Sequence, residues 1–470
     1  MFPGLTLAYW LTLHGLVTLA AVMIYVVTAH VLQQRRHPTA AIAWVLFILL
    51  LPYVALPSFL TFGSRKQARP RVRPLRLAPP APSDPDDGRA WAVQTALAMG
   101  QPPPAAFEDL HVHADGRAAL DAAWAVIDGA EHSIDLCTFI IGRDAVGHEL
   151  IARLSAKAKS GVRVRLMLDG LGRLMTASPS TRPLLQAGGE VTRFVPPLHS
   201  PLKGRSNLRD HRKMLIADAS LPERRRLWCG GRNLASEYFE GEHGREAWRD
   251  LSFDLRGDIV EQAEALFEHD WAFANGRRLR PAPSDASIDI LPGRGAQLIA
   301  SGPDQSDDTV HALLITAAYR ARSRIALITP YFVPDSALLM ALCMAARRGV
   351  VVDLLMPARS NHRMSDLARR RALCSLADAG GRIWLVPHML HAKLVVVDDA
   401  LALAGSVNLD SRSLFLNYEL MMAFHDPLVV KQLDDWFELE RATSYRVAPK
   451  KPGLVGDVAD GLVLWLGFQL

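Results

Sequence analysis

The chain repeats itself once, and that duplication restricts its possible folds more than any other feature. "AEHSIDLCTFIIGRD" (130–144) has a counterpart in "ARSRIALITPYFVPD" (321–335). "AVGHELIARLSAKAKSGVRVRLMLDG" (145–170) has one in "SALLMALCMAARRGVVVDLLMP" (336–357), with Gly161-Val162 and Gly349-Val350 at equivalent points. "GDIVEQAEALFEHDW" (257–271) is echoed by "DPLVVKQLDDWFELE" (426–440). A repeat this long means two similar domains rather than a solenoid of short units. Each copy runs strand, amphipathic helix, strand, the pattern of a βαβ unit in an α/β layered domain. The expected halves are 107–285 and 286–470.

A set of charges repeats with the fold. "RDHRKMLIADAS" (209–220) carries His211, Lys213 and Asp218; "LHAKLVVVDDA" (390–400) carries His391, Lys393 and Asp398. Both read H-x-K-x-x-x-x-D. Both are followed by glycine and asparagine, in "GGRN" (Gly230 to Asn233) and "GSVN" (Gly405 to Asn408). On a strand, residues i and i+2 share a face, so each His projects with its Lys, Gly231 with Asn233, and Ser406 with Asn408. Neighbouring strands would bring His, Lys and Asn to one patch. Asp218 and Asp398 lie at an odd offset, at the strand's end, where a supporting or capping role suits them. A lone histidine on an apolar strand is usually structural, and a lone strand lysine usually guards an edge. Recurrence of the whole set at one spacing argues against both. Zinc is a poor match, because the motif lysines are cations and no Cys cluster or H-E-x-x-H accompanies two histidines. Cys137, Cys229, Cys343 and Cys374 form no CxxC pair, and Cys137 and Cys229 are expected as buried free thiols.

Attack at phosphorus needs such a patch. Lysines and asparagines offer donors to the non-bridging oxygens of a phosphodiester. One histidine can attack phosphorus, and the other can protonate the leaving oxygen and later deprotonate the incoming hydroxyl. No metal or other cofactor is then required.

The N-terminal region bears on where this happens. The first 34 residues contain no Asp, Glu, Lys or Arg, and Leu5 to Leu32 exceeds the roughly 20 apolar residues of a membrane helix. Its length and lack of a basic start disfavour a cleaved signal peptide. A second charge-free stretch runs from Thr39 to Ser64, with Pro52 and Pro57 allowing a kinked or re-entrant path. Two transmembrane segments are expected (1–34, and 35–64 including a short basic loop), then a basic, Pro-rich, poorly packed linker (65–106). Arginines and lysines between Arg65 and Arg76 place the bulk of the chain on the cytoplasmic side, with the N-terminus there too if both segments span. The formal net charge of +5 suits an anionic lipid surface or nucleic acid. Two membrane segments and few aromatic residues near the motifs argue against nucleic acid.

The paired H-x-K-x4-D motifs with their trailing glycine and asparagine resemble the phospholipase D superfamily, over nearly all of 107–470. The N-terminal apolar segments, "TPYFVPD" (329–335) and "GSVNLDSRSLFLNYE" (405–419) look like the bacterial cardiolipin synthases within it. That resemblance implies two α/β domains with the active site between them, in a multi-pass protein of the bacterial cytoplasmic membrane. It implies that two phosphatidylglycerol molecules are joined with release of glycerol. It makes His211 the nucleophile and His391 the general acid/base, with Lys213, Lys393, Asn233, Asn408 and Ser406 around the phosphate. Asp218 and Asp398 become architectural acids, and Asp250 and Glu419 candidates to hold the far nitrogens of the histidines. A hydrolase, a different phosphatidyltransferase, a nuclease and an inactive membrane scaffold are the competing readings.

Overall fold

The structure is a computed structural model. It describes residues 3–31, 38–62, 90–172, 178–195, 207–241, 244–277, 295–305, 307–450 and 453. The arginines and lysines from Arg65 to Arg76 and most of the Pro-rich stretch lie outside the described residues.

Three helices open the chain: α1 (Pro3–Val31), α2 (Pro38–Leu50) and α3 (Pro52–Phe62). Only α1, through Tyr9–Val27, is long and apolar enough to cross a membrane among the described residues. The second apolar stretch is not one span. It folds back on itself at Leu51-Pro52, because proline cannot continue the ladder of α2. Tyr25 of α1 meets both limbs: its hydroxyl donates to Ala41 O at 3.4 Å, and its ring sits 4.8 Å from that of Phe59. Trp44 and Phe59 pack edge to face between the limbs.

A fourth helix, α4 (Ala90–Ala98), corrects the linker boundary. Ala92, Ala96 and Met99 are buried against the C-terminal lobe. Gln101 accepts from Ala300 N at 2.8 Å. Residues 90–101 are therefore part of the folded body.

The first lobe is a seven-stranded mixed sheet made of β1 (Glu108–His113), β2 (Ser133–Thr138), β3 (Arg163–Asp169), β4 (Glu190–Phe194), β6 (Met214–Ala217), β7 (Arg226–Gly230) and β8 (Ser252–Arg256). Their order is β1-β8-β7-β6-β2-β3-β4. A two-residue strand, β5 (Arg209–Asp210), precedes β6. The second lobe contains β9 (Ala296–Ser301), β10 (Arg324–Ile328), β12 (Val351–Pro357), β13 (Arg382–Val386), β14 (Leu394–Val397), β15 (Leu401–Gly405) and β17 (Asn417–Phe424). Read from β9, its order is β9-β17-β15-β14-β10-β12-β13, the order and strand sense of the first lobe. A short β11 (Phe332–Val333) pairs with β16 (Leu409–Asp410), and β18 (Tyr445–Val447) extends the sheet beyond β13.

Matching helices cover matching strands. α5 (Gly116–Gly129) and α6 (Ala145–Lys159) correspond to helices Thr309–Arg320 and Ser336–Arg347. Gly161 and Gly349 end α6 and its counterpart with φ of +93° and +92°, a conformation that side chains rarely adopt. Helices Ile259–Ala274 and Pro427–Ala442 lie between the two sheets and bury Phe267, Leu433 and Phe437 in one shared core. Cys137 and Cys229 are buried free thiols.

Candidate active site

The site forms where each lobe hydrogen-bonds to the other's motif. β5 runs parallel to the start of β17, pairing Arg209 with Asn417 and Asp210 with Tyr418. His211 N then donates to Tyr418 O at 2.9 Å. The duplicated counterpart is an isolated bridge between Arg249 and Leu390, with His391 N donating to Arg249 O at 2.6 Å. The motif His and Lys do not sit on strands proper. They occupy the extended segments leading into β6 and β14, which pair antiparallel with the glycine-bearing β7 and β15.

Each histidine is held by an acid of the opposite lobe. His211 Nδ1 lies 3.1 Å from Glu419 Oε2, and His391 Nδ1 lies 2.7 Å from Asp250 Oδ2. Both acids are fully buried. Burial alone would raise their pKa. Lys393 and His391 instead hold Asp250 down to about 2, and His211 and Lys213 pull Glu419 below its usual range. Burial lowers His211, and burial with Lys393 pushes His391 down to about 3, so both rings are neutral near pH 7 in the empty site.

The lysines fill the space between. Lys213 Nζ donates to His211 O at 2.5 Å. Lys393 Nζ donates to His391 O and lies 2.8 and 3.1 Å from the two ring nitrogens of His391. Both are buried, and desolvation lowers Lys213 to about 8 and Lys393 to about 7. Each lysine feels the charge of both Asp250 and Glu419, so the two half-sites share one electrostatic field.

The remaining candidates divide. Asn233 donates to Tyr238 Oη at 2.8 Å and Asn408 to Ser413 Oγ at 3.4 Å, and each leaves its Oδ1 buried without a partner among the described residues. Ser406, expected beside the phosphate, turns its hydroxyl to Glu419. Its hydroxyl donates to Glu419 Oε2 at 2.5 Å and accepts from Leu420 N at 3.0 Å, so it steadies the acid behind His211. In the first lobe a Cβ on the equivalent Gly231 would come within 2.3 Å of Asp250 Oδ1.

Asp218 and Asp398 lie away from this centre. Asp218 accepts from the backbone N–H groups of Glu131, His132 and Ser133, and Asp398 from those of Arg322, Ser323 and Arg324. Both have positive φ, +49° and +51°. Each ties the end of its motif strand to the start of β2 or β10.

Two features were missed by sequence reasoning. Aromatic rings do line the motifs, contrary to expectation: Phe139 packs edge-on to His211 at 5.0 Å, and Tyr238 and Trp248 lie 5.1 and 5.6 Å from His391. They come from segments remote in sequence from the motif each one touches. The second feature is a fully buried lock behind His211. Arg212 pairs with Asp270, donates to Glu419 O at 3.0 Å and Ser301 O at 3.2 Å, and lies over the Tyr418 ring. Its counterpart is Ala392, so this feature had no repeat to reveal it.

Two histidines, each held by a carboxylate, and two lysines around one buried point define an enzyme of phosphoryl-group transfer, built from two copies of one half-site. Residues 124–271 and 314–440 match the family described as "Cardiolipin synthase, PLD-like domain", and residues 20–64 match "Phospholipase_D-nuclease N-terminal". Cardiolipin synthase A of Klebsiella pneumoniae and that of Citrobacter koseri are each 30% identical to the chain, over 95% of it and 94% of the relative. Among solved structures, phosphatidylserine synthase of Haemophilus influenzae shares the fold, with TM-score 0.62 and 13% identity, covering 80% of this chain and 99% of that one. The chain belongs to the cardiolipin synthase family with phospholipase D-like domains.

Proposed function

We propose that the chain joins two phosphatidylglycerol molecules into cardiolipin and glycerol through a phosphohistidine intermediate. The observation that carries the mechanism is the crossed pair of histidine–carboxylate couples around two lysines. His211 Nε2 attacks the phosphorus of the first lipid. The bond to the head-group glycerol breaks, and His391 gives the departing oxygen its proton. The head-group hydroxyl of the second lipid then attacks phosphatidyl-His211 while His391 takes the hydroxyl proton, and the P–N bond breaks. One phosphodiester is lost and one is made, so no nucleotide is consumed.

Three details support the roles. Glu419 holds Nδ1 of His211 and leaves Nε2 as the attacking atom. A bound phosphodiester anion adds negative charge beside His391 and the lysines, which raises their proton affinity and equips His391 as an acid. Rotating the amides of Asn233 and Asn408 by half a turn keeps a bond to Tyr238 or Ser413 and turns N–H donors to where the unpartnered oxygens now sit.

In this reading α1 crosses the bacterial cytoplasmic membrane, and α2–α3 enter and return on one side. Arginine and lysine after residue 64 keep the lobes cytoplasmic. That topology places the N-terminus on the opposite face from the lobes. A lipid rather than a nucleic acid is the substrate. Purified full-length enzyme given phosphatidylglycerol alone should yield cardiolipin and glycerol by mass spectrometry, and no cleavage of labelled DNA. His391→Ala at wild-type turnover would sink the mechanism.

A further inference from the structure

The segment that carries His211 carries another cation facing the same way. Residues 209 to 213 are extended, and alternate side chains of an extended chain share a face. Arg209, His211 and Lys213 therefore lie on one side, Asp210 and Arg212 on the other. The even-numbered pair is accounted for within the fold, through Cys137 Sγ donating to Asp210 at 3.0 Å and through the Arg212 lock. Arg209 is not. It is only 8% exposed, its Nη1 donates to Leu208 O at 2.5 Å, and its buried Nε has no partner among the described residues.

Arg412 stands beside it. Its Nη2 lies 3.3 Å from Asn207 O and 3.2 Å from Asn207 Oδ1, and after burial the charge of Arg209 is the main influence lowering Arg412 to about 10. The nearby carboxylates have backbone partners. Asp169 accepts from the N–H groups of Leu171, Gly172 and Asp210, and Asp410 from that of Ser413. Two neighbouring guanidinium groups of like charge, Arg209 buried with an unsatisfied N–H and Arg412 partly buried, make a place for an anion.

The pair belongs to one side of the site only. The duplication that aligns His211 with His391 puts Met389 opposite Arg209. The alignment of Asn233 with Asn408 puts Glu237 opposite Arg412. One flank of an otherwise twofold centre thus carries two arginines where the duplication places Met389 and Glu237 on the other.

Joining two phosphatidylglycerols calls for such a difference. One phosphate reacts between the lysines, while the acceptor's own phosphate stays intact, one glycerol bridge away. Two residues of extended chain advance about 6.6 Å, and two phosphates joined through three carbons are spaced on the same order. We propose that Arg209 and Arg412 bind the unreacting phosphodiester of the acceptor lipid and so deliver its hydroxyl to phosphatidyl-His211. This rests on the transfer reaction proposed above. Water and neutral alcohols carry no such anion, so the pair favours lipid transfer over hydrolysis.

The test compares acceptors in phosphatidylglycerol–detergent micelles with the full-length enzyme. Labelled glycerol is the neutral acceptor, sn-glycerol 3-phosphate the soluble anionic one, and phosphatidylglycerol the lipid one. The wild type should prefer both anionic acceptors to glycerol. Arg209→Met and Arg412→Gln should lower that preference about tenfold or more, and Arg209→Lys should restore part of it. Incorporation of glycerol reports in the same sample that the variant is folded and forms the intermediate. Unchanged preference, or parallel loss with every acceptor, overturns the proposal. A preference lost for the lipid but kept for glycerol 3-phosphate also overturns it, since a membrane contact would then be responsible. A wild type that incorporates no acceptor refutes the transfer reaction itself, and the proposal with it.

Discussion

Replacing Glu419 by glutamine separates the charge of this acid from its shape. Glu419 Oε2 accepts from His211 Nδ1 and Ser406 Oγ, and Oε1 accepts from Asn417 Nδ2 at 3.1 Å. A glutamine keeps its oxygen toward His211 and turns its NH2 toward Asn417. Asn417 can answer by rotating its amide, because its Oδ1 has no partner among the described residues. The variant should therefore fold with little loss. What disappears is a buried negative charge beside a ring that becomes cationic when His211 is phosphorylated. A hydrogen bond to a charged group contributes about 1.5–3 kcal/mol, and a charge pair about 4 Å apart contributes about 4 kcal/mol at an effective dielectric of 20. kcat should fall roughly 10- to 1000-fold, with KM changed by no more than a few-fold. Glu419 also raises the proton affinity of His211. Its removal should move the acid limb of kcat/KM to lower pH, because His211 attacks only when neutral. Initial rates of cardiolipin formation and single-turnover trapping of labelled phosphatidyl-enzyme provide the assay. A Glu419→Gln enzyme with wild-type kcat, or one impaired only in KM, would refute the reasoning.

Three further perturbations reach other parts of the site. Asp218→Asn and Asp398→Asn should act on stability more than rate, because one amide oxygen replaces a carboxylate accepting three backbone N–H groups. A loss of about 1–3 kcal/mol each should appear as a lower thermal midpoint. Backbone donors hold both carboxyls below their usual pKa, so their stabilisation is complete above about pH 4 and disappears as pH falls through the folded-state value; in the Asn variants this acid-dependent part should vanish from melting curves. Lys393, lowered to about 7, and Lys213, lowered to about 8, must be charged to receive substrate. kcat/KM should therefore fall as pH rises through 7 to 8, with a steeper loss than kcat, since bound phosphate holds the lysines protonated. Arg212→Met leaves Asp270 buried without its ion-pair partner, and should lower stability by about 3–5 kcal/mol in equilibrium unfolding.

What could be read from the sequence was whatever the chain states twice. The duplicated strands and helices were visible because each copy has its own period of apolar residues. His211 and Lys213 drew notice only once His391 and Lys393 stood at the same spacing. The strand-end location of Asp218 followed from an odd offset along an extended chain. Features stated once were hidden. Glu419 and Asp250 were legible as candidate acids, but Glu419 is 208 positions from His211 and Asp250 is 141 from His391, so their crossing exists only in the lobe interface. Ser406 looked like a phosphate ligand because it shares a face with Asn408, but its hydroxyl is taken by Glu419. A charge-free stretch long enough to span a membrane folds instead as a hairpin, since Pro52 cannot continue the ladder of α2, while Pro57 is accommodated inside α3. α4 sat in a Pro-rich neighbourhood, and its Ala92 and Ala96 meet a surface more than 200 residues further on.

The shared parts of the two half-sites cannot explain why their histidines would do different work. Each has an acid from the other lobe, a lysine two residues on and an asparagine on the neighbouring segment. Any division of labour has to come from what the duplication no longer shares. Lys393 touches both ring nitrogens of His391, whereas Lys213 donates only to the backbone oxygen of His211. The His391 side chain is 5% exposed and set among Tyr238 and Trp248; that of His211 is 13% exposed and meets one ring, Phe139. A ring that must take and return a proton benefits from a cation that can share it and from walls that exclude water. A ring that must form a bond to phosphorus needs an open nitrogen. The crossing of the acids adds one constraint: neither lobe alone contains a complete histidine–carboxylate couple, so the two roles could diverge only while the lobes stayed joined.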